Sequence, residues 1–395
     1  MSPDGVKGPE DHMRIAIFTD SYYPTRDGVV TAVDTTRSLL ESMGHEVFIV
    51  APDPGKDCKH EKGVTYFKAV KFRTYKGYYV PIFPSNKTEI MKSLKPDVIH
   101  IHGVAFMALK ALIASHNTGI PTVLTYVTAV TDVIKDYSPV KLPKEMLISL
   151  SSIYLRNMLK RPDCVIVPTR CTADEITSIL KAKPRRLETI PIGVDTNHFT
   201  NNGKGLEIRK KYGIENRKVI ITVGRISYEK NTDLLVRSMK LMDNDTVLLI
   251  CGKGPAEKML KKETEKANVT DKVIFAGFVP DDELVAYYSC ADAMATASVF
   301  ETQGLTVLEA MSCGIPIACG NGRAFTDFVK EDENGYLFNL SEEECAAAMN
   351  RALNAADRIK IASRKTAEKY SIRHTAEQLV RLYTEVIESK KGACQ

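Results

Sequence analysis

Residues 301–320 read ETQGLTVLEAMSCGIPIACG, and the residue types set out a loop, a helix and a buried strand in that order. Gly304 permits a tight turn, and helical spacing begins at Leu305 and continues through Leu308, Met311 and Ser312. Glu301 then stands on the loop before the helix and Glu309 about one turn inside it. The backbone N–H groups of Leu305 and Thr306 are first-turn donors without helical partners, and the helix dipole points at whatever lies there. Such an end suits a diphosphate. Two glutamates beside it would repel an anion unless they contact hydroxyl groups, and sugar and ribose hydroxyls are natural partners. Acidic residues near a helix start are also favoured by the dipole alone.

Working outward, the same alternation fills the chain. Strand-like runs occur at 14–20 (RIAIFTD), 46–52 (EVFIVAP), 64–70 (VTYFKAV), 97–103 (DVIHIHG), 122–128 (TVLTYVT), 164–169 (CVIVPT) and 187–193 (LETIPIG). A second set follows at 218–225, 246–254, 272–278, 293–298, 315–320 and 335–338. Amphipathic stretches such as 29–42 and 144–160 lie between most of them. Runs apolar on both faces belong to parallel sheets covered by helices on either side. The fold class is therefore α/β, with two doubly wound, Rossmann-like domains whose ligands bind beyond the carboxyl ends of the strands. The expected divisions are a tag or disordered leader at 1–12, an N-terminal domain at 13–195, and a C-terminal domain at 196–370. A helix at 371–395 is expected to pack back on the N-terminal domain. Thr196 to Asn216 reads as a linker and the chain's return into order.

Composition narrows the classes. The 395 residues suffice for about two or three domains. An apolar fraction of 44% with 26% charged residues excludes a disordered chain. The net charge of +5 permits anionic partners but does not call for nucleic acid. Nine cysteines without a C-x-x-C spacing read as reduced thiols in a cytoplasmic protein. No apolar run approaches the ~20 residues of a spanning helix.

Two further constellations carry chemistry. In VGRISYEKN (223–231), Gly224 ends a strand, Arg225 follows at its carboxyl end and Lys230 stands near a helix start. A lysine there is unfavourable unless an anion is present, and Arg with Lys can grip a phosphate; two solvated cations are the plainer alternative. In FTDSYYPTRDGVVTAV (18–33), Gly28 opens a helix after a strand, where a substrate can approach the backbone. Gly252, Lys253 and Gly254 begin a G-x-G pattern, but Glu257 occupies the third glycine's place, so the dinucleotide fingerprint is incomplete. A backbone loop touching nucleotide is the better use.

The sequence GR-x4-KN, then GKGP, then E-x7-E followed by EAMSCGIPIA, resembles the large family of retaining glycosyltransferases with two facing Rossmann-like domains and an interdomain cleft, the GT-B fold. The resemblance runs from about Met13 to the C-terminus, and FTDSYYPTRDGVVTAV with ETQGLT is similar to the branch that includes diacylglycerol glucosyltransferases. It implies that Arg225 and Lys230 neutralise a departing nucleotide diphosphate and that Glu301 lies by the donor sugar. It further implies that Gly304, Leu305 and Thr306 offer backbone to sugar and phosphate, that Glu309 holds the ribose, and that Gly28 lines the diphosphate. Gly224, Gly252, Lys253 and Gly254 would border the nucleotide.

One departure stands out. Many relatives carry a histidine in a T-Y-H-T-like stretch, whereas this chain has Tyr126 and then Val127, which neither donates a hydrogen bond nor moves a proton. His102, at the end of the preceding strand, is the substitute to consider for sugar or acceptor contact. A structural strand histidine is the alternative. Asp243-Asn244-Asp245 reads as a turn, and no metal or cofactor is expected. The expected reaction moves a hexose, with UDP-glucose the expected donor, to a lipid or glycan acceptor. The rival readings are a nucleotide-sugar epimerase or hydrolase, or a nucleotide-sugar-binding protein that has lost turnover. Basic and aromatic residues interleave over 66–83 and basic and apolar residues over 141–161. Both segments suit peripheral contact with an anionic membrane on its inner face, or a core helix with a solvated basic side.

Overall fold

The computed structural model describes residues 12–25, 28–56, 58, 60–71, 78–126 and 143–392. All of the expected leader except His12, together with Val127 and the stretch around Arg73, Tyr75, Lys76 and Lys141, lies outside them. The chain forms two compact units, one of residues 1–191 with 375–395 and one of residues 192–374.

The first unit holds strands β1 (Arg14–Thr19), β2 (Glu46–Pro52), β3 (Val64–Phe67), β4 (Val70–Lys71), β5 (Tyr79–Val80), β6 (Val98–His102), β7 (Thr122–Thr125), β8 (Cys164–Val167) and β9 (Leu187–Thr189). Seven of them make one sheet in the order β3-β2-β1-β6-β7-β8-β9, and β4 pairs with β5 alone. Every pairing in the larger sheet is parallel. Ala16 and Phe18 face one apolar cluster, with Leu155 and Met158 of the helix Lys144–Leu159. Ile15 and Ile17 face the other, with Leu379, Val380, Tyr383 and Val386 of the helix Ile372–Gly392. A strand covered on both faces has no polar side to show, which is why these runs are continuously apolar.

The second unit repeats the plan with β10 (Lys218–Val223), β11 (Thr246–Cys251), β12 (Val273–Gly277), β13 (Ala293–Thr296), β14 (Ile317–Gly320) and β15 (Tyr336–Phe338). The order is β12-β11-β10-β13-β14-β15, again parallel throughout. All six residues of β11 are buried, and from Val247 to Cys251 they alternate between the two apolar clusters on either face. Burying each such Val, Leu or Ile is worth roughly 1.5–3 kcal/mol. The supposed linker from Thr196 to Asn216 is not featureless. It contains the helix Gly205–Tyr212, anchored where the Arg209 guanidinium reaches Asp292 at 2.8 Å and the Cys290 carbonyl at 2.9 Å.

Strand order fixes where chemistry belongs. In each sheet the chain winds outward one way and then the other, and a crevice opens at the reversal beyond the carboxyl ends. The reversal falls between β1 and β6 in the first unit and between β10 and β13 in the second.

Candidate active site

In the second unit the loops that follow β10, β11 and β12 are fastened to one another. The Gly224 N–H donates to the Cys251 carbonyl (3.0 Å), Gly252 N–H to Gly277 (2.7 Å) and Ile226 N–H to Lys253 (3.1 Å). A Cβ on Gly252 would sit 1.9 Å from the Gly224 carbonyl oxygen, and one on Gly254 2.1 Å from that of Ile226. These glycines thus let two backbones touch. Arg225, on the β10 side of this stack, is exposed, as is Lys253.

Past Arg225 the chain makes a tight turn over Tyr228–Lys230 and a left-handed residue, Asn231 at φ 49°, before the helix Thr232–Ser238. The Asn231 amide donates to the Ala297 carbonyl at 3.3 Å, tying this turn to the segment after β13. The consequence is that the Lys230 ammonium ion-pairs with the Glu301 carboxylate. Both side chains are part-buried, with 31% and 21% of their surface open.

The 301–309 segment is positioned by contacts that its sequence does not announce. Gln303 is 1% exposed. Its carbonyl oxygen accepts from the Ile192 N–H at 2.6 Å and its amide donates to the Ile192 carbonyl, so one side chain clamps both backbone groups of a residue 111 positions away. Gly304 adopts φ 82°, and a Cβ there would lie 2.3 Å from the Phe325 ring. The helix Leu305–Ser312 then starts, its first backbone bond running from Val307 N–H to Gly304 O (3.1 Å). The Leu305 and Thr306 N–H groups precede that bond. Glu309 lies deep in the unit but keeps part of its surface open, and accepts a hydrogen bond from the Tyr288 hydroxyl at 2.7 Å. Burial pushes its carboxyl up to about 7, the Tyr288 bond opposing the shift.

In the first unit, His102 ends β6 beside Thr19 of β1 and Thr125 of β7. It is 6% exposed, and its buried Nε2 has no hydrogen-bond partner among the described residues. Burial lowers its pKa to about 4, so the ring is neutral near pH 7. His100, on the same face, is held between the Thr125 hydroxyl and the Tyr383 hydroxyl, each at 2.6 Å. Its pKa is pushed well below the usual range, first by burial and then by His102. Asp20, just past β1, accepts from Met107 N–H (2.8 Å) and Ala105 N–H (3.1 Å) and so caps the helix Phe106–Thr118. Burial raises it to about 6 against those two bonds. Tyr126 is buried directly after β7, and Gly28 is the first residue of the helix Gly28–Ser42.

Of the residues singled out in the sequence, Lys230 and Glu301 touch. Gly304, Leu305, Thr306 and Glu309 share one turn and helix, and Gly224, Gly252 and Gly254 share one stack. Gln303, Tyr288 and Asp20 escaped notice. Asp243 and Asp245 lie 3.6 and 3.8 Å from the Lys218 ammonium at the opposite end of the sheet.

Comparison with known proteins agrees on one family. The model described as glycosyltransferase family 4 matches residues 26–198, and that of glycosyl transferases group 1 matches residues 206–372. The alpha-monoglucosyldiacylglycerol synthase of Acholeplasma laidlawii is 30% identical over 84% of this chain and 86% of its own length. The enzyme of the same name from Streptococcus pneumoniae is 31% identical over 87% and 79%. Among solved structures, sucrose-phosphate synthase from Thermosynechococcus elongatus superposes with a TM-score of 0.77 at 18% identity, over 95% of this chain and 99% of that one. Anabaena HepE in complex with UDP gives 0.76 at 16%, over 94% and 100%. Both share the GT-B fold.

Proposed function

Because this chain belongs to the glycosyltransferases of group 1 and family 4, we propose that it moves glucose from UDP-glucose to a hydroxyl of a glycerolipid, with retention at the anomeric carbon and without a metal ion. The observation that carries the donor half is the Lys230–Glu301 pair set against the Leu305–Ser312 helix start, at the strand-order reversal of the second unit. The acceptor half rests on the two diacylglycerol-glucosylating relatives.

The chemistry follows from the charges. As the bond from C1 to the leaving phosphate breaks, negative charge grows on the diphosphate. Arg225, Lys230 and the Leu305 and Thr306 N–H groups are fixed positive partners for it, the kind of preorganised stabilisation that lowers barriers most. With two cations and a helix dipole there, Mg²⁺ is not needed. Glu301, shared with Lys230, takes sugar hydroxyls, and Glu309 takes the ribose. No carboxylate stands out as a nucleophile among the described residues, so the acceptor oxygen attacks the face that the phosphate leaves, and its proton passes to the leaving phosphate oxygen. His102, neutral near pH 7 and with a buried Nε2 that has no partner among the described residues, is our candidate for a hydrogen bond to sugar or acceptor, since this chain carries Val127 where many relatives carry a histidine.

For the membrane, the helix Lys144–Leu159 exposes Met146, Leu150, Ile153 and Tyr154, and the helix Phe106–Thr118 exposes Phe106, Leu109 and Ile113. Apolar side chains spaced at helical intervals and open to solvent suit an interfacial position. No described helix is long and apolar enough to cross a membrane.

The test offers UDP-glucose, UDP-galactose and GDP-mannose, each with diacylglycerol in vesicles and with EDTA, and identifies products by mass and anomeric configuration. An α-glucosyl lipid from UDP-glucose is expected. A mannosyl product from GDP-mannose, or conversion of donor without acceptor, overturns the reading.

A further inference from the structure

The first unit carries a basic pocket at the end of its sheet opposite to the one where His102 lies. A pocket of about 540 Å³ is lined by Leu112, Ile113, His116, Lys160, Arg161, Asp163, Arg185 and Lys390 among others. Thr122, which opens β7, also borders it. His102 ends its strand and Asp20 follows the carboxyl end of β1, whereas this pocket lies at the amino ends, a strand's length away or about 10 Å.

Among the described residues the charges there do not balance. Asp163 is the single carboxylate of the described lining. It accepts from Thr122 N–H at 2.9 Å and ion-pairs with Arg185 (3.3 Å) and Lys390 (3.0 Å), which holds both cations at the pocket. Lys160 and Arg161 pair with no carboxylate among the described residues. Helix carboxyl ends attract cations, and three of them meet here, those of Phe106–Thr118, Lys144–Leu159 and Ile372–Gly392. Each such end is worth roughly half a negative charge. Three ends and one carboxylate still leave at least one of the four cations unmatched.

We propose that this pocket binds a phosphoryl group. Arg161 and Arg185 can each offer two parallel N–H donors to phosphate oxygens, and Lys160 and Lys390 add point charges. The volume falls in the range of small-molecule sites. Its apolar wall of Leu112 and Ile113 continues along the exposed face of that helix through Leu109 and Phe106. A phosphate ester with a short carbon chain therefore fits. It comes either as a free phosphomonoester or as the headgroup of a phospholipid, and the same four cations receive both.

The measurement titrates the full chain with sn-glycerol 3-phosphate by calorimetry, and separately with vesicles of phosphatidylglycerol or of phosphatidylcholine by co-sedimentation. Lys160→Gln/Arg161→Gln and Arg185→Gln/Lys390→Gln are compared with wild type. Lys56→Gln/Lys62→Gln removes the same charge near the opposite edge of the sheet, and Arg225→Gln marks the candidate donor site. Melting curves check that each variant is folded. Both pocket variants are expected to weaken binding by about tenfold or more, one charge-assisted hydrogen bond's worth, while the control pair leaves it within about twofold. Loss in the glycerol phosphate arm identifies a free ester as sufficient. Loss confined to phosphatidylglycerol vesicles identifies the lipid headgroup. Binding that is unchanged in both pocket variants, or that falls only with Arg225→Gln or equally with the control pair, overturns the proposal.

Discussion

Gln303 shows how much of the site depends on one neutral side chain. With both of its amide atoms bonded to Ile192, replacing it by Leu strands a backbone N–H and a C=O in a part-buried place. Each stranded group costs about 1–3 kcal/mol. Gln303→Leu should lower the melting temperature and, by loosening the loop that carries Glu301, reduce kcat more than it raises the donor KM. Gln303→Glu keeps the bond from Ile192 N–H and loses the other, so it should fall between Leu and wild type in steady-state assays. Glu309 makes a prediction with a sign. Its folded pKa, about 7, lies above the ordinary 4.5. Between those values the folded chain holds a proton that the unfolded chain has released, so this group's contribution to stability declines as pH rises through the window. Glu309→Gln removes that decline. Melting temperatures of variant minus wild type should therefore climb from pH 4.5 to 7 and then level off; a flat difference contradicts the assignment. At this scale the sequence was legible where residues fall into a local pattern of spacing. The E-x7-E and GR-x4-KN patterns carry Glu301, Glu309, Arg225 and Lys230. Gln303 and Tyr288 were not legible, because their partners are 111 and 21 residues away and a lone amide or phenol has no pattern.

Among elements, the turn into the Leu305–Ser312 helix is the most constrained. Gly304→Ala meets both a left-handed φ and the Phe325 ring. The backbone term alone is about 1–2 kcal/mol, and the ring contact adds to it. Gly304→Ala should lower both the melting temperature and the transfer rate, and adding Phe325→Leu should recover part of the lost rate by making room. If the double variant is slower than Gly304→Ala, the ring is not the obstacle. The exposed helix faces carry another expectation. Leu150→Ser/Ile153→Ser should weaken vesicle binding several-fold while leaving the melting temperature nearly unchanged, since those side chains are 52% and 49% exposed. Parallel strands could be read directly from the sequence because burial on both faces makes them apolar without interruption. The helix Gly205–Tyr212 was hidden for the opposite reason. Only Gly205 and Ile208 are buried in it, and what secures it is Arg209 reaching Asp292 and Cys290.

For the whole molecule, two doubly wound sheets account for where the chemistry-bearing residues fall. Arg225 and Glu301 follow the strands that flank one strand-order reversal, and Asp20 follows and His102 ends the strands that flank the other. Apolar alternation made this architecture legible, but neither the unpartnered Nε2 of His102 nor the charge surplus around Asp163 could be read from it, since both arise from strands and helices distant in sequence. The central claim is that Arg225 and Lys230 neutralise the departing diphosphate. Its most direct test is the steady-state rate of UDP release from UDP-glucose, with diacylglycerol vesicles and EDTA, for wild type, Arg225→Gln and Lys230→Gln. Each variant should lose on the order of 10²–10³ in kcat, the loss seen when one preorganised charge partner is removed, with the acceptor KM little changed. Rates within about twofold of wild type would contradict it, since each 1.36 kcal/mol of lost transition-state stabilisation is tenfold in rate.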